Sequence, residues 1–257
     1  GIALGDNKQY LVSNRIRTIL QELQIGTLTE LVRRVELGSN RNLKERVIDA
    51  MTTNETFWFR DGFPFDALQE AILPRLLLDE RRETVRIWSA ACSSGQEPYS
   101  ISMVLEEFRN RNPGVMRREP AILATDISSK VLAAARDAAY DNLTINRGLS
   151  PQRRSLFFEQ AADGLYRLRP SLARRIEFKP LNLLDSFAGL GRFDIVFCRN
   201  VIIYFDRAMQ EDLFQRFFDA LAPGGYLVLG KVETLLGRPR SLFRAVRVKD
   251  RIFQKRA

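Results

Sequence analysis

Apolar residues recur at helical spacing along the first part of the chain. They predict a first helix over Leu11 to Leu23 and a second helix that starts at a Thr27–Glu30 capping box. An Asn42–Glu45 pair predicts the start of a third helix in the same way. Short helices with tight connections are typical of a small bundle.

From residue 84 the pattern changes to strands that alternate with helices, after a helical linker over Phe63 to Leu78 that Pro74 interrupts. This alternation is typical of a mostly parallel sheet covered on both faces. The predicted strands are Val85 to Ser89, Ala121 to Thr125, Ile176 to Lys179, Phe193 to Cys198 and Tyr226 to Gly230. The predicted helices are Pro98 to Arg109, Ser129 to Ala139 and Arg207 to Leu221.

Two further segments modify this plan. The stretch from Tyr140 to Arg175 is too long for an ordinary loop, and it predicts an inserted subdomain with strands over Leu156 to Phe158 and Leu165 to Leu168. Near the end of the sequence, Phe243 to Val248 and Arg251 to Lys255 predict a hairpin that adds an antiparallel strand to the sheet edge.

These elements predict an α/β fold in two domains. Residues 1–75 form an N-terminal helical domain with its linker, and residues 76–257 form a domain around a Rossmann-like sheet with an antiparallel C-terminal edge hairpin. A small β-subdomain is inserted at about residues 141–175. The antiparallel edge distinguishes the pattern from a plain dinucleotide-binding fold.

Composition narrows the possible chemistry. The 257 residues include no histidine, which excludes Ser-His and Cys-His nucleophiles and His-containing zinc sites. Forty Lys and Arg against 31 Asp and Glu give a formal charge of +9, which would attract nucleic acid, an anionic membrane or an acidic protein. No apolar stretch resembles a signal peptide or a membrane span, so we expect a cytoplasmic protein without membrane insertion, in which Cys92 and Cys198 are free thiols.

The loop from Ala90 to Pro98 follows the first predicted strand and consists mostly of small residues. A ligand can approach such a backbone closely, but Glu97 would repel a pyrophosphate at the start of the next helix. A carboxylate favours a cationic cofactor, and S-adenosylmethionine carries both an ammonium and a sulfonium group. With a single glycine, the loop fits an ordinary strand-to-helix turn equally well.

Polar residues follow three other predicted strands, at the edge where ligands bind in open α/β sheets. Asp126 is placed to accept hydrogen bonds from ribose hydroxyls, or to cap the following helix. Asn182, Arg199 and Asn200 are placed to reach the adenine and the methionine part, or to serve as turn residues.

The sequence lacks the motifs expected of an enzyme that methylates nucleic-acid bases. The polar tip reads Asn200 to Tyr204 and has no Pro-Pro pair, while Cys198 follows Phe197 on an apolar strand and is no candidate nucleophile. A carboxylate acceptor is already ionised at neutral pH and needs no general base, which suits a chain without histidine.

The segment from Thr52 to Asp61 is polar at first and then aromatic. On its residues alone, packing of core aromatics is the favoured interpretation.

Five motifs together resemble the CheR family of chemotaxis receptor methyltransferases, and the resemblance covers nearly the whole chain. The motifs are Thr52 to Asp61, Ala90 to Ser100, Ala124 to Ser128, Asn182 to Asp185 and Phe193 to Asp206. The resemblance implies S-adenosylmethionine-dependent methylation of glutamate side chains on the cytoplasmic helices of chemoreceptors, in sensory adaptation, with S-adenosylhomocysteine as product and no metal.

The resemblance also implies roles for single residues. Arg60 and Tyr204 match residues near the methyl group and the acceptor, and we expect Arg60 to orient the acceptor anion. The matched cofactor-binding residues are Asn54, Thr56, Arg60, Glu97, Asp126, Asn182, Leu183, Arg199 and Asn200.

A basic N-terminal helix face meets the acidic methylation region of the receptor in this family, and a solvated helix surface is the alternative here. The candidate residues are Arg33, Arg34, Arg41, Lys44 and Arg46. The loop around Asp163 is shorter than in members that grip a receptor tether, which favours a tether-independent enzyme. No nucleic-acid partner is expected, although a nucleic-acid methyltransferase and a non-catalytic sensor of S-adenosylmethionine remain the competing interpretations.

Overall fold

The computed structural model describes residues 2, 9–38, 41–77, 84–246 and 251–256. Three helices come first: α1 (Gln9–Glu22), α2 (Leu28–Glu36) and α3 (Arg41–Met51). They pack on one another around a shared apolar cluster, as the small bundle requires. The buried members of that cluster are Ile16, Ile19, Ile25, Leu31 and Leu43.

The sequence predicted N-terminal caps for α2 and α3. Thr27 caps α2 as predicted, because its hydroxyl accepts the Glu30 N–H at 3.2 Å. The predicted cap at Asn42 is wrong, since Asn42 already lies inside α3. The first turn of α3 begins with polar residues, so the apolar periodicity did not mark where the helix starts.

The linker after the bundle is helical from Phe63 to Leu77, the part that the structure describes. It consists of α4 (Phe63–Ala67), a π-helical turn (Leu68–Ile72) and α5 (Leu73–Leu77). The Leu73 N–H bonds to the Leu68 carbonyl five residues back, directly before Pro74. Pro74 has no N–H and would crowd a regular helix, and the wider π turn accommodates it. Leu78, the last residue of the predicted linker, lies outside the described residues.

The rest of the chain alternates between strands and helices as predicted. The helices are α6 (Gln96–Arg111), α7 (Ser129–Asp137), α8 (Asn142–Asn146), α9 (Pro151–Phe157), α10 (Pro170–Ala173) and α11 (Arg207–Ala220). The strands are β1 (Arg86–Ala90), β2 (Ala121–Asp126), β3 (Ala139–Tyr140), β4 (Phe158–Gln160), β5 (Tyr166–Leu168), β6 (Ile176–Pro180), β7 (Phe193–Cys198), β8 (Leu221–Leu229), β9 (Phe243–Ala245) and β10 (Ile252–Lys255).

The main sheet has the strand order β6-β2-β1-β7-β8-β10-β9. Its first five strands are parallel, while β10 pairs antiparallel with both β8 and β9. The predicted edge hairpin is therefore confirmed, and its turn, residues 247–250, lies outside the described residues. The last parallel strand starts at Leu221, earlier than the predicted Tyr226, and a register irregularity opposite Phe193 and Ile195 accommodates Pro223-Gly224-Gly225.

The inserted subdomain contains an antiparallel sheet of order β3-β5-β4. The predicted strand over Leu156 to Phe158 is wrong for its first two residues, which end α9. The Ser150 hydroxyl caps that helix by accepting the Arg153 N–H at 3.2 Å, and Pro151 occupies its first turn. The predicted helix over Ser129 to Ala139 ends early, because Ala138 is left-handed (φ 49°) and Ala139 enters β3.

Apolar side chains cover both faces of the main sheet. The linker helices and α6 pack on one face, and α11 packs on the other. Cys92 and Cys198 are both buried and free, as expected. No helix in the described ranges is long and apolar enough to cross a membrane. The parallel strands thus present their carboxyl ends along one edge, where the polar residues of the sequence motifs meet.

Candidate functional site

A cleft of about 520 Å³ lies at the carboxyl edge of the parallel strands. Its walls are residues of α1 and α3, the segment from Thr52 to Asp61, which we call the interdomain segment, the loop after β1, and the tips of β2, β6 and β7. All residues predicted to bind the cofactor or to serve the transfer line it. They are Asn54, Thr56, Arg60, Glu97, Asp126, Asn182, Leu183, Arg199, Asn200 and Tyr204.

Hydrogen bonds anchor the interdomain segment to the sheet domain. The Ser93 hydroxyl donates to the Asn54 carbonyl at 2.9 Å, and the Phe59 N–H donates to the Ser100 hydroxyl at 3.1 Å. The Asn54 amide donates to the Thr52 hydroxyl at 3.1 Å within the segment. The polar half of the segment is therefore held as a wall of the cleft.

The aromatic half of the segment packs against the inserted subdomain. Trp58 is fully buried, and its indole N–H donates to the Thr144 carbonyl at 3.1 Å. The guanidinium groups of Arg60 and Arg147 lie 5.4 and 4.8 Å from the centroid of the Phe57 ring. The packing interpretation thus holds for Trp58, while Arg60 and Phe57 line the cleft.

The loop after β1 curls back on itself through left-handed residues. Ala91, Ser93 and Gly95 have φ values of 60°, 51° and 93°. A Cβ on Gly95 would lie 2.9 Å from the Tyr99 ring and 3.2 Å from the Tyr140 hydroxyl, so the loop needs glycine there. The single glycine is therefore explained by close packing of the loop backbone against Tyr99 and Tyr140.

Glu97 is part of a buried ion-pair network. One of its oxygens accepts from Arg199 Nη1 at 2.8 Å, and the other accepts from the Ser89 hydroxyl at 2.8 Å. Arg199 Nη2 donates to the Asp61 carboxylate at 2.8 Å and to the Arg60 carbonyl at 2.6 Å. The Arg199 side chain, 2% exposed, therefore ties β7, α6 and the interdomain segment together.

Asp126 ends β2 and is buried. Its carboxylate accepts the Ser93 N–H at 2.8 Å and the Ser128 N–H at 3.0 Å. Burial raises the pKa of Asp126, and hydrogen bonds from the backbone N–H groups of Ser128, Ser93 and Ile127 oppose that rise. A carboxylate has about four acceptor sites, so it can also accept from a ribose hydroxyl. Ser128, and not Asp126, provides the side-chain cap of α7 through the Val131 N–H at 3.3 Å.

Asn182 and Leu183 follow β6 on the far side of the cleft. The Asn182 side-chain oxygen accepts the Leu184 N–H at 3.0 Å, which closes a turn, while Leu183 is buried. The Arg216 guanidinium donates to the Leu183 carbonyl at 2.8 Å and holds the turn from α11. The turn interpretation of Asn182 is therefore right, and its side-chain amide still lines the cleft.

Asn200 and Tyr204 belong to the tip of β7. Asn200 is left-handed, with φ 59°, and a 3₁₀ turn (Ile202–Tyr204) follows it. The carboxylate of Glu233, from the loop after β8, accepts backbone N–H groups of this tip.

Asp61, Ser93 and Glu233 hold residues of the site in place, and the sequence analysis did not predict them as site residues. Asp61 and Ser93 lie inside segments that the sequence singled out, beside residues that were chosen. Glu233 lies outside every motif, and an isolated Glu after an apolar strand gives no signal of its own.

The candidate basic residues of the N-terminal helices are in part already paired. Arg33 and Arg34 are exposed and both pair with Glu30, and Arg46 pairs with Glu22. Lys44 is exposed on α3. The side chain of Arg41 lies outside what the structure describes.

The polar groups of the cleft fit S-adenosylmethionine. The carboxylates of Glu97 and Asp61 both pair with the buried guanidinium of Arg199. The buried carboxylate of Asp126 accepts from backbone N–H groups instead, and its negative charge favours a cation in the cleft. Neither Glu97 nor Asp126 uses all its acceptor capacity. Within the described ranges, no group of three or more Cys, Asp or Glu residues is placed to hold a metal ion.

Two family descriptions match the chain in consecutive ranges. "CheR methyltransferase, all-alpha domain" matches residues 1–52, and "CheR methyltransferase, SAM binding domain" matches residues 54–252.

Curated relatives match over most of their own length. The chain is 48% identical over 239 residues to "Chemotaxis protein methyltransferase 1" of Pseudomonas aeruginosa, covering 93% of this chain and 87% of the relative. It is 48% identical over 237 residues to "Chemotaxis protein methyltransferase" of Vibrio parahaemolyticus, covering 92% and 85%. It is 37% identical over 237 residues to "Chemotaxis protein methyltransferase" of Salmonella typhimurium, covering 91% and 78%.

Proposed function

The chain belongs to the CheR methyltransferase family, and from this membership we propose that it methylates glutamate side chains on bacterial chemoreceptors. The chain is an S-adenosylmethionine-dependent chemotaxis protein methyltransferase. The proposal adds the acceptor, a glutamate γ-carboxylate, and the product, its methyl ester. Ester formation on the receptor serves chemotactic adaptation.

One observation carries the proposal: all the residues proposed for cofactor binding and for transfer line a single cleft. The carboxylates of Glu97 and Asp126 favour the cationic, ribose-bearing donor. Arg60 reaches the same cleft from the interdomain segment. One of its nitrogens donates to the Glu55 carbonyl at 2.8 Å, and its other N–H groups can bind an incoming carboxylate.

The reaction needs orientation more than acid–base chemistry. The donor supplies a methyl group on a positively charged sulfur, and as the S–C bond breaks an O–C bond forms on the acceptor carboxylate, whose negative charge is neutralised. No proton moves, so the cleft needs no general base. Arg60 orients the acceptor carboxylate, and Tyr204 lines the pocket through which the methyl group passes. Both roles are proposals for this chain.

The partner follows from the acceptor. The proposed substrate is the cytoplasmic methylation region of chemoreceptors, which is acidic and helical, and this places the enzyme in the cytoplasm. Opposite charge supports docking on the basic N-terminal helices. The residues proposed for that contact are Arg33, Arg34, Arg41, Lys44 and Arg46.

We propose two domains, with residues 1–75 as the helical domain and its linker, and residues 76–257 as the cofactor-binding domain with its insertion at about 141–175. The separate apolar cluster of α1 to α3 supports a separate helical domain, while the linker helices pack against the main sheet. Limited proteolysis that cut first within the main sheet would contradict it.

The experiment that tests the function is incubation with methyl-labelled S-adenosylmethionine and receptor cytoplasmic fragments. The proposal predicts label on the receptor fragment that mild alkali releases, because carboxyl methyl esters hydrolyse readily. Label on RNA or DNA that resists alkali, with binding that weakens steeply as salt is added, would identify a nucleic-acid enzyme.

A matched acceptor completes this experiment. A receptor fragment whose methylated glutamates are replaced by alanine should take up no label. Retention of the cofactor without transfer to the intact fragment would identify a sensor of S-adenosylmethionine and contradict the proposed activity.

A further inference from the structure

The carboxylate of Glu233 accepts four backbone N–H groups from two neighbouring strand tips. Oε2 accepts from Gly230 at 2.7 Å and from Asn200 at 2.9 Å. Oε1 accepts from Ile202 at 2.9 Å and from Val201 at 3.0 Å. Glu233 is 3% exposed, so the carboxylate is buried and its lone pairs are occupied by main-chain donors.

This arrangement fixes the shape of the tip after β7. The backbone of Asn200 is left-handed, with φ 59°, a conformation that costs free energy for a residue with a side chain. The N–H groups of Asn200, Val201 and Ile202 point inward at one carboxylate, which stabilises that turn. A Cβ on Gly230 would lie 2.8 Å from Glu233 Oε2 and 3.0 Å from the Asn200 nitrogen, so the two tips meet without spare room.

The turn held by Glu233 presents three of the proposed functional residues. Arg199 precedes it and reaches Glu97 and Asp61, Asn200 is its first residue, and Tyr204 ends the 3₁₀ turn that follows. Glu233 holds the start of this tip, and main-chain bonds close its end: the Tyr204 N–H donates to the Val201 carbonyl at 3.1 Å.

We propose that Glu233 is a positioning residue for methyl transfer: it acts through the Asn200–Ile202 backbone to hold Arg199, Asn200 and Tyr204 at the cleft. This inference rests on the proposed function, because it assigns Glu233 to the same reaction. Glu233 touches neither donor nor acceptor in this scheme.

The test compares Glu233→Gln with Glu233→Asp in the full chain. A glutamine amide turns one acceptor into a donor that faces two N–H groups, whereas aspartate keeps the charge and both acceptors. We therefore expect Glu233→Gln to lower kcat by about 10- to 100-fold and to weaken S-adenosylhomocysteine binding in calorimetry at least about fivefold, and Glu233→Asp to restore part of both.

A matched control lies at the opposite end of β7. Asp194 is also buried, and its carboxylate accepts the Arg86 N–H at 2.8 Å, remote from the cleft. Asp194→Asn should lower the melting temperature while leaving kcat and S-adenosylhomocysteine affinity within about twofold of the wild type.

Two results would overturn the proposal: a folded Glu233→Gln enzyme with wild-type kcat and affinity, or equal losses of both in Asp194→Asn. Binding of S-adenosylhomocysteine is measured without any receptor, so it does not depend on the proposed acceptor. If the proposed acceptor is wrong, the wild-type enzyme will bind S-adenosylhomocysteine but will transfer no methyl group to receptor fragments.

Discussion

The Arg199 guanidinium pairs with the Glu97 carboxylate at 2.8 Å, in the interior of the carboxyl edge of the sheet. The same guanidinium pairs with Asp61 at 2.8 Å, so the strand tip and the helix N-terminus are joined to the interdomain segment. All three elements line the cleft. The shape of the cofactor site therefore depends on this pair.

Glu97→Gln should weaken cofactor binding. The substitution removes a charge that favours the cationic donor, and it leaves Arg199 with Asp61 as its remaining carboxylate. Breaking one side of a buried pair is strongly destabilising, by about 3–5 kcal/mol. We expect the calorimetric Kd for S-adenosylmethionine to rise at least about tenfold, which corresponds to ~1.4 kcal/mol.

Glu107 offers the matched control for that substitution. It lies on the same helix, its side chain is 13% exposed like that of Glu97, and it pairs with Arg153 at 2.7 Å outside the cleft. Glu107→Gln should lower stability without changing the Kd. An equal rise in Kd for both variants would show that Glu97 acts only through stability.

Arg60→Ala and Tyr204→Phe should each lower turnover on receptor fragments. Arg60→Ala removes the cation that orients the acceptor carboxylate, and we expect kcat/KM to fall by about 10²-fold or more. Tyr204→Phe removes one hydroxyl from the methyl-transfer pocket, and about a tenfold loss is expected. Initial rates with labelled donor check both, with Arg174→Ala, exposed at the opposite edge of the sheet, as control. Full turnover in both variants would reject these roles.

Gly148→Ala should disturb the cofactor site from the inserted subdomain. Gly148 has φ +93°, and a Cβ there would lie 2.2 Å from the Trp58 carbonyl oxygen in the interdomain segment. Gly164 has a similar φ of +82° but open space around it. Gly164→Ala thus carries the same backbone strain without the clash. We expect Gly148→Ala to raise the Kd for the cofactor and Gly164→Ala to leave it unchanged. An equal rise in Kd for both variants would show that the close approach of Gly148 to Trp58 does not matter for cofactor binding.

Charge reversal on α2 should weaken receptor recognition only. Arg33→Glu with Arg34→Glu places acidic groups on an exposed face where the acidic receptor is proposed to dock. We expect KM for receptor fragments to rise about tenfold, with an unchanged cofactor Kd and a smaller salt dependence. Arg111→Glu, exposed at the far end of α6, controls for net charge. A lost cofactor affinity in the α2 variant would reject the docking role.

Stability should fall with acidification partly through Glu106. Burial would raise the pKa of Glu106, but hydrogen bonds from Arg109 and Arg175 outweigh it and hold the pKa below the ordinary value of 4.5. A depressed carboxyl pKa stabilises the fold above about pH 4.5, and this contribution is lost as the pH falls through the folded-state pKa.

Glu106→Gln is therefore expected to reduce the free energy of unfolding by about 1–3 kcal/mol at pH 7. Urea unfolding at a series of pH values should show the gap to the wild type closing on the acid side of pH 4.5. A gap that stayed constant with pH would contradict the ionic origin of the effect.

The sheet was predictable because its central strands are continuous apolar runs. Phe193 to Cys198 was placed to the residue, since every side chain of that strand is buried. Boundaries that depend on capping were less predictable. The left-handed Ala138 and the Ser150 cap decide where α7 ends and α9 begins, and neither changes the apolar pattern.

The candidate site was predictable where residues follow strand ends, because parallel strands bring their carboxyl ends together. The hydrogen bonds and ion pairs between these residues could not be predicted from the sequence. Asp61 reaches Arg199 across 138 positions and Glu233 reaches Asn200 across 33, and long-range contacts of this kind leave no periodic signal. The sequence motifs did not predict the ion pair between Glu97 and Arg199 for the same reason.

The most direct test of the central claim is mass spectrometry of a receptor cytoplasmic fragment after incubation with the enzyme and S-adenosylmethionine. We expect glutamate side chains that are heavier by one methylene unit and revert in mild alkali, and modification slower by about 10²-fold or more with Arg60→Ala. Unmodified glutamates in a reaction where the wild-type enzyme binds the donor, or an alkali-stable methyl group on another residue type, would contradict it.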